Sequence, residues 1–438
     1  MAAGLHKTRA SAPHASEHGG KGAFLFVDGE HCDDTHQHAN PANRSAAMSG
    51  GLKPEKQTVK IGFNPLTDCA TVVMASVLGM DEKYGIKIVL RKEASWAGVR
   101  DKLVSGELDA AHLLYGMVYG AQLGVGWQQK DMAILMNLNR NGQAITLSRR
   151  LAEQGAVDGP SLAALMQGAP RTYTFAQTFP TGTHAMWLYY WLAAHGVDPI
   201  RDARVITVPP TQMVANLSAG HMDGFCAGEP WGHRAVADGV GVTAATSQQI
   251  WPDHPEKVLS TTAAFVKHHP NTCRALVAAV LDAGKWIEAS PANKLAALEI
   301  LAGHGYVNTS RDVIAPRALG HYENGLGKNW QDPYCLQFHA NGAANFPYLS
   351  DGMWFMTQLR RWGLITRDPE YLAVASHVHQ IGLYRQAAEM SGTPVPDSML
   401  RSSKLMDGIV WDGRDPRAYA AAFPIRHRAQ APAEAATF

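Results

Sequence analysis

Three places where a strand-like run gives way to a helix start fall between Tyr173 and Trp231. Tyr173 to Ala176 reads as a short strand, and the small-residue turn Thr181-Gly182-Thr183 follows it, with Thr183 placed to cap a helix opening at His184. Val205 to Val208 reads as the next strand, with Thr211 as the following cap. Asp223 to Ala227 is the third, running into Gly228-Glu229-Pro230 with proline in the first helical turn. In an open parallel sheet, helix starts of this kind gather along one edge, where ligands bind. Their unpaired N–H groups and partial positive charge suit an anion.

Other chemistries find little support. The five cysteines (Cys32, Cys69, Cys226, Cys273, Cys335) form no CxxC pair, so neither a zinc ribbon nor a redox dithiol is indicated. The net charge of +1 argues against a large nucleic-acid footprint. Only the run H-C-D-D-T-H-Q-H, with His31, Cys32, His36 and His38, has a metal-binding composition, and it reads better as part of a His-rich leader. No catalytic residue, metal centre or cofactor is expected.

The elements that must position an anion site come from βα alternation. Thr58 to Phe63 alternates like a strand, Ala70 to Leu78 reads as a helix, and Ile86 to Leu90 as a strand. Ser95 caps a helix starting at Trp96. Leu108 to Leu113, Met132 to Met136 and Ala144 to Leu147 are further strands, and Ser260 to Val266 reads as a strand returning to the first lobe. Beyond His269 the pattern is helical, over Cys273 to Ala289, Lys294 to Ala302, Asp312 to Leu319 and Met353 to Trp362. An alternation interrupted and resumed predicts two α/β lobes joined by two crossings, near Ala144 to Ser148 and Lys257 to Ser260, which close like a clamshell. The expected organisation is a disordered His-rich tail over 1–56, one lobe from 57–146 plus 258–400, a second from 147–257, and an extended C-terminal tail over 401–438.

The segments G-F-N-P-L-T-D-C, K-E-A-S-W-A-G-V-R, N-G-Q-A-I-T-L-S, T-G-T-H-A-M-W-L-Y-Y-W-L and C-A-G-E-P-W closely resemble the nitrate/bicarbonate-binding proteins of bacterial ABC transporters. The resemblance runs from about Thr58 into D-G-I-V-W-D-G-R-D-P, most of the chain. It implies a periplasmic-binding-protein-like (type II) two-lobe clamshell with a helical C-terminal extension. It also implies a planar oxyanion held between the lobes by Trp96, Gln143, His184, Gly228 and Lys257. Their chemistry fits: Lys257 supplies charge, Gln143 and His184 donate, Gly228 offers backbone N–H, and Trp96 an indole N–H or a packing face. In the family a lysine at position 257 goes with nitrate or nitrite. It also suits an acceptor-only anion better than bicarbonate, whose O–H wants an acceptor.

No run approaches about 18 apolar residues, so no transmembrane segment is expected. Neither Met1 nor Met48 is followed by an export leader; the longest early apolar run is Ala23 to Val27. Within the resemblance this points to its cytoplasmic branch, a nitrate/nitrite sensor that holds an RNA-binding antiterminator response-regulator protein and releases it when the anion binds. The alternative is an exported, periplasmic component partnered with an ABC permease. A thiamine-pyrimidine-synthesis family shares the fold, but its chemistry needs a cofactor-holding lysine and clustered His and Cys, and no such cluster appears in sequence beside Thr181 to His184.

Overall fold

The structure, a computed structural model, describes residues 53–169 and 171–427. The His31 to His38 run, Met48 and nearly all of the expected N-terminal tail lie outside the described residues, as do residues 428–438. Glu55 and Lys56, assigned to that tail, are anchored. Glu55 accepts from the backbone N–H groups of Asn271 and Thr272 at the start of the helix Pro270–Glu288, and Lys56 pairs with Asp109 at 2.6 Å. Orphan N–H groups at a helix start favour such a carboxylate.

Two five-stranded sheets carry the fold. The first contains β1 (Thr58–Phe63), β2 (Lys87–Lys92), β3 (Ala110–Leu114), β4 (Met132–Asn137) and, from much later in the chain, β10 (Lys257–Thr262), in the order β2-β1-β3-β10-β4. The second contains β5 (Gln143–Ser148), β6 (Thr174–Gln177), β7 (Arg204–Thr207), β8 (Gly224–Gly228) and β9 (Gly241–Thr246), in the order β7-β6-β8-β5-β9. Each sheet has one strand of reversed direction, and that strand comes straight from the other lobe: β10 runs antiparallel to β3 and β4, and β5 antiparallel to β8 and β9. The chain leaves the first sheet after Asn137, enters the second at Gln143, and returns between Thr246 and Lys257. β3, β4, β5 and β8 are buried along their whole length; β3, β4 and β8 read as largely apolar runs rather than alternations, whereas β5 keeps Gln143, Thr146 and Ser148.

The helix Thr183–Ala194 is apolar on all sides, and eleven of its twelve residues are buried. A helix of that kind needs cover opposite its own sheet, and the C-terminal helix Leu349–Arg361 provides it: Trp354 lies 5.1 Å from Trp187 and 6.0 Å from Tyr190, ring centre to ring centre. Among the described residues no helix is long and apolar enough to cross a membrane.

Several expectations change. The first crossing lies before Gln143, so residues 143–146 belong to the second lobe's sheet and Lys257 to the first lobe's. Thr211 caps no helix; it lies inside the turn Pro210–Gln212, and Gln212 holds the cap position of the helix Met213–Ser218. Thr183 does not cap its helix; Gly182 holds the cap position, and the Thr183 hydroxyl donates to Glu256 instead. Ala263 to Val266 is not strand: the Thr262 hydroxyl accepts from Phe265 N–H and starts the helix Ala263–His268. From residue 401 the chain is not an extended tail either. It forms a hairpin of Ser403–Lys404 with Val410–Trp411 and a helix at Pro416–Ala422, because Trp411, Tyr419 and Phe423 have core to bury against.

Candidate anion-binding site

Lys257, the first residue of β10, is fully buried. A buried ammonium must find opposite charge and acceptors. Its Nζ donates to Asp68 Oδ2 at 2.8 Å and to Glu256 Oε1 at 2.7 Å. Asp68 comes from the loop after β1, so the two elements that meet on this ammonium are the strand end of β1 and the crossing segment before β10.

The expected site residues gather around this ion pair. Gln143 Nε2 points at Asp68 Oδ2 at 3.4 Å, and Gln143 Oε1 accepts from His184 Nε2–H at 2.7 Å. That bond fixes the tautomer: Nε2 carries the proton, and Nδ1 accepts from the Thr178 hydroxyl. A Cβ at Gly228 would lie 2.9 Å from Gln143 Oε1 and 3.4 Å from Asp68 Oδ2, so any side chain where β8 meets the first lobe would displace Gln143 from its place. Trp96, capped by Ser95 as expected, faces Lys257 with its ring centre 5.7 Å from Nζ and packs 5.5 Å from the His112 ring. Its Nε1–H is buried with no partner among the described residues. All five positions are thus brought together, and Trp96 contributes an unused donor.

Sequence reasoning passed over four groups that complete the arrangement. Asp68 sits in the quoted N-P-L-T-D loop, and Glu256 is the neighbour of Lys257; nothing in the sequence pairs either with a buried ammonium. His112 donates to Asp68 Oδ1 at 2.8 Å, and Trp187 Nε1 donates to Glu256 Oε2 at 2.9 Å. A chain of donors therefore runs from Thr178 through His184 and Gln143 to Asp68, where Lys257 and His112 also converge.

Titration follows from burial and charge together. Burial alone would raise the Asp68 carboxyl, but the Lys257 ammonium and the His112 hydrogen bond outweigh it and hold it well below the usual carboxylate range. Burial raises Glu256, and the attraction of Lys257 only partly offsets this. Burial would lower Lys257, yet Asp68 and Glu256 together push it up. His184 and His254 are driven down by burial, with Lys257 adding repulsion, His254 to about 3. The histidines are thus neutral and Lys257 is charged near neutral pH.

The structure corrects one reading: His112, His184 and His254, distant in sequence, all reach the carboxylates that hold Lys257, His112 at Asp68 and the other two within 3.8 Å of Glu256. Their roles are nonetheless fixed by hydrogen bonds, His254 Nδ1 donating to Pro255 O and Nε2 accepting from Ser247. A lysine held protonated by two carboxylates is not a nucleophilic amine.

Across the cleft the loops after β1 and β8 touch directly. Thr67 N–H donates to Glu229 O at 2.8 Å, and Trp231 Nε1 donates to Pro65 O at 3.1 Å. Glu229 is itself held by buried Arg317 at 2.6 Å. With the geometry in view, residues 52–302 match the model of the NMT1-like family.

The chain belongs to the NMT1-like family.

It is 38% identical over 404 residues to the nitrate/nitrite binding protein NrtA of Synechococcus elongatus, covering 88% of this chain and 90% of that one. It is 35% identical to the bicarbonate transport ATP-binding protein CmpC of Synechocystis over 83% of this chain, which spans 55% of CmpC. The crystal structure of the periplasmic nitrate-binding protein NrtA from Synechocystis superposes with a TM-score of 0.81 at 35% identity, over 85% of this chain and all of that one. The fold is the periplasmic-binding-protein-like type II arrangement, with a helical C-terminal part.

Proposed function

We propose that this chain binds nitrate or nitrite between its lobes, at Lys257, and that it serves as the substrate-binding component of an ABC importer. The observation that carries the binding is the convergence of donors on Asp68. A carboxylate is planar, delocalised and acceptor-only, as nitrate is, and here Lys257, Gln143 and His112 all donate to it. Donors already arranged around an internal carboxylate are arranged for a small planar oxyanion, and the unused Trp96 N–H adds another. Trp96, Gln143, His184, Gly228 and Lys257 are the ligand-binding residues in this reading. Hydrogen bonds to a charged group contribute roughly 1.5–3 kcal/mol each, so four or five reach the ~8 kcal/mol of micromolar affinity after ordering costs.

Support for import over a cytoplasmic sensor comes from the relatives: CmpC is named a bicarbonate transport protein, and the superposed NrtA is named periplasmic. Calorimetry with nitrate, nitrite and bicarbonate tests the ligand: saturable nitrate or nitrite binding, lost in Lys257→Ala and His184→Ala, is expected. Saturation by bicarbonate alone would refute it. Cell fractionation tests the role. Periplasmic protein assembling with a permease supports import, whereas cytoplasmic protein that copurifies with an RNA-binding antiterminator until nitrate is added would restore the sensor.

A further inference from the structure

A second concentration of charge lies on other elements. The helix Leu349–Arg361 ends in Arg360 and Arg361, and the helix Pro416–Ala422 brings Arg417 alongside. After it the chain doubles back, so that His427 N–H donates to Arg361 O at 2.8 Å. Together with Arg426, these residues line a cavity of about 100 Å³. Among the described residues the one acidic side chain on its wall is Asp368. Four guanidinium groups face one carboxylate there.

The arginines differ in how they are held. Arg361 is structural: it is 4% exposed, stacks 3.7 Å above the Phe423 ring, and donates through Nε to Ile425 O. Burial lowers its guanidinium to about 10, so it remains charged at neutral pH. Arg360 is less committed. Its Nε is 3.7 Å from Asp368, beyond hydrogen-bond reach, and is buried without a partner among the described residues. Arg417 uses Nη2 on the exposed Glu370 at 3.0 Å, and Arg426 uses one Nη on Phe423 O. Their remaining fork donors have no hydrogen-bond partner among the described residues.

Like charges this close repel unless an anion sits among them, and the C-terminal end of one helix dipole offsets only a fraction of a charge. Guanidinium forks match tetrahedral oxyanions bidentately, and a cavity of this size holds one such group. We propose that this cavity is a second anion site, separate from the Lys257 cluster, that takes a doubly charged tetrahedral oxyanion of the phosphate class. Nitrate, singly charged and planar, is the wrong ligand for it. The phosphate group has two possible sources, free in solution or displayed on a lipid headgroup.

The test uses the full chain. Inorganic phosphate is titrated by calorimetry at constant ionic strength, with and without saturating nitrate, beside Arg360→Gln and Arg417→Gln. Saturable one-to-one phosphate binding that nitrate does not displace, weakened at least tenfold in each variant, is the expected result. Each variant should keep nitrate affinity within twofold, which shows that it folds. Flotation with phosphatidic acid vesicles against phosphatidylcholine vesicles separates the sources. Variant-sensitive binding to the former with no response to free phosphate assigns the site to a headgroup. If neither probe binds beyond the effect of equal chloride, or if binding survives both substitutions, the proposal is wrong.

Discussion

Substituting Lys257 by methionine tests whether this residue is the charge that organises the site. The side chain keeps its length and loses its cation. Asp68 and Glu256, which both approach Nζ within 2.8 Å, are then left buried with no opposite charge. Breaking a buried ion pair by removing one partner typically costs about 3–5 kcal/mol. For a folded unit of this size, with unfolding entropy on the order of 0.8 kcal/mol/K, that lowers Tm by about 4–6 °C. The pH dependence is the sharper readout. Burial already raises Glu256, and without the lysine only the hydrogen bonds from Thr183 and Trp187 are left to hold it down. A carboxyl raised above its unfolded value contributes stability that is present when it is protonated and lost as pH rises through the folded value. The deficit of Lys257→Met should therefore be small near pH 5 and grow toward pH 8. The double variant Lys257→Met/Glu256→Gln should recover much of the loss and flatten the profile. Differential scanning calorimetry across that range decides. A variant as stable as the parent at every pH, or a deficit that neither varies with pH nor yields to the second substitution, would refute the charge argument.

In the parent, bringing an anion beside Asp68 and Glu256 should draw in a proton, so nitrate affinity should rise as pH falls from 8 to 6. Calorimetry in buffers of differing ionisation enthalpy would show the proton. Asp68→Asn should tighten nitrate binding at least tenfold, because the internal anion that competes for Lys257 and Gln143 is gone; repulsion between unit charges about 4 Å apart is about 4 kcal/mol at an effective dielectric of 20. Weaker binding in that variant would mean that Asp68 positions the lysine rather than competing. Gly228→Ala places a methyl group 2.9 Å from Gln143 Oε1 and Leu66 Cδ2, and should reduce affinity at least tenfold with little change in fold, as circular dichroism and titration would show. Trp96→Phe retains most packing against His112 but removes the unpaired N–H, with an expected loss of roughly tenfold or more; unchanged affinity would make Trp96 a packing residue only.

Strands whose pattern was local could be read directly. β1 alternates because one face meets solvent, and its bounds coincide with the expected ones. Helix starts were legible where a side chain caps alone, as at Ser95. Reading failed where a tertiary partner took over a local signal. The hydroxyl of Thr183, a good cap by type, is drawn to Glu256 seventy-three residues away. Phe265 and Val266 have strand propensity, yet one Thr262 cap commits them to helix. Trp411 and Tyr419 looked like tail residues because their apolar partners, among them the helix Leu349–Arg361, come from other segments.

The site shows the same division more strongly. Its five expected residues came from motif resemblance, not from pattern, and the structure explains why pattern could not have found them. Each is at the end of an element, where periodicity stops carrying information. The carboxylates that decide their electrostatics lie in the loop after β1, 189 residues before Lys257, and one residue upstream of it. A lysine in sequence reads as a free positive charge for an anion. In the folded chain that charge already belongs to Asp68 and Glu256, so under the proposed function an anion would not meet a waiting cation; it would compete with Asp68 for Lys257 and Gln143, and a proton on Glu256, whose carboxyl burial raises, would help it do so. Selectivity then depends on more than the lysine. An anion that can donate, such as bicarbonate, could satisfy a carboxylate directly, whereas nitrate needs that carboxylate moved or protonated. Discrimination between the two should consequently widen as pH falls, and a nitrate-to-bicarbonate affinity ratio that stays flat between pH 6 and 8, after correction for bicarbonate's own ionisation, would show that Asp68 and Glu256 take no part in the choice.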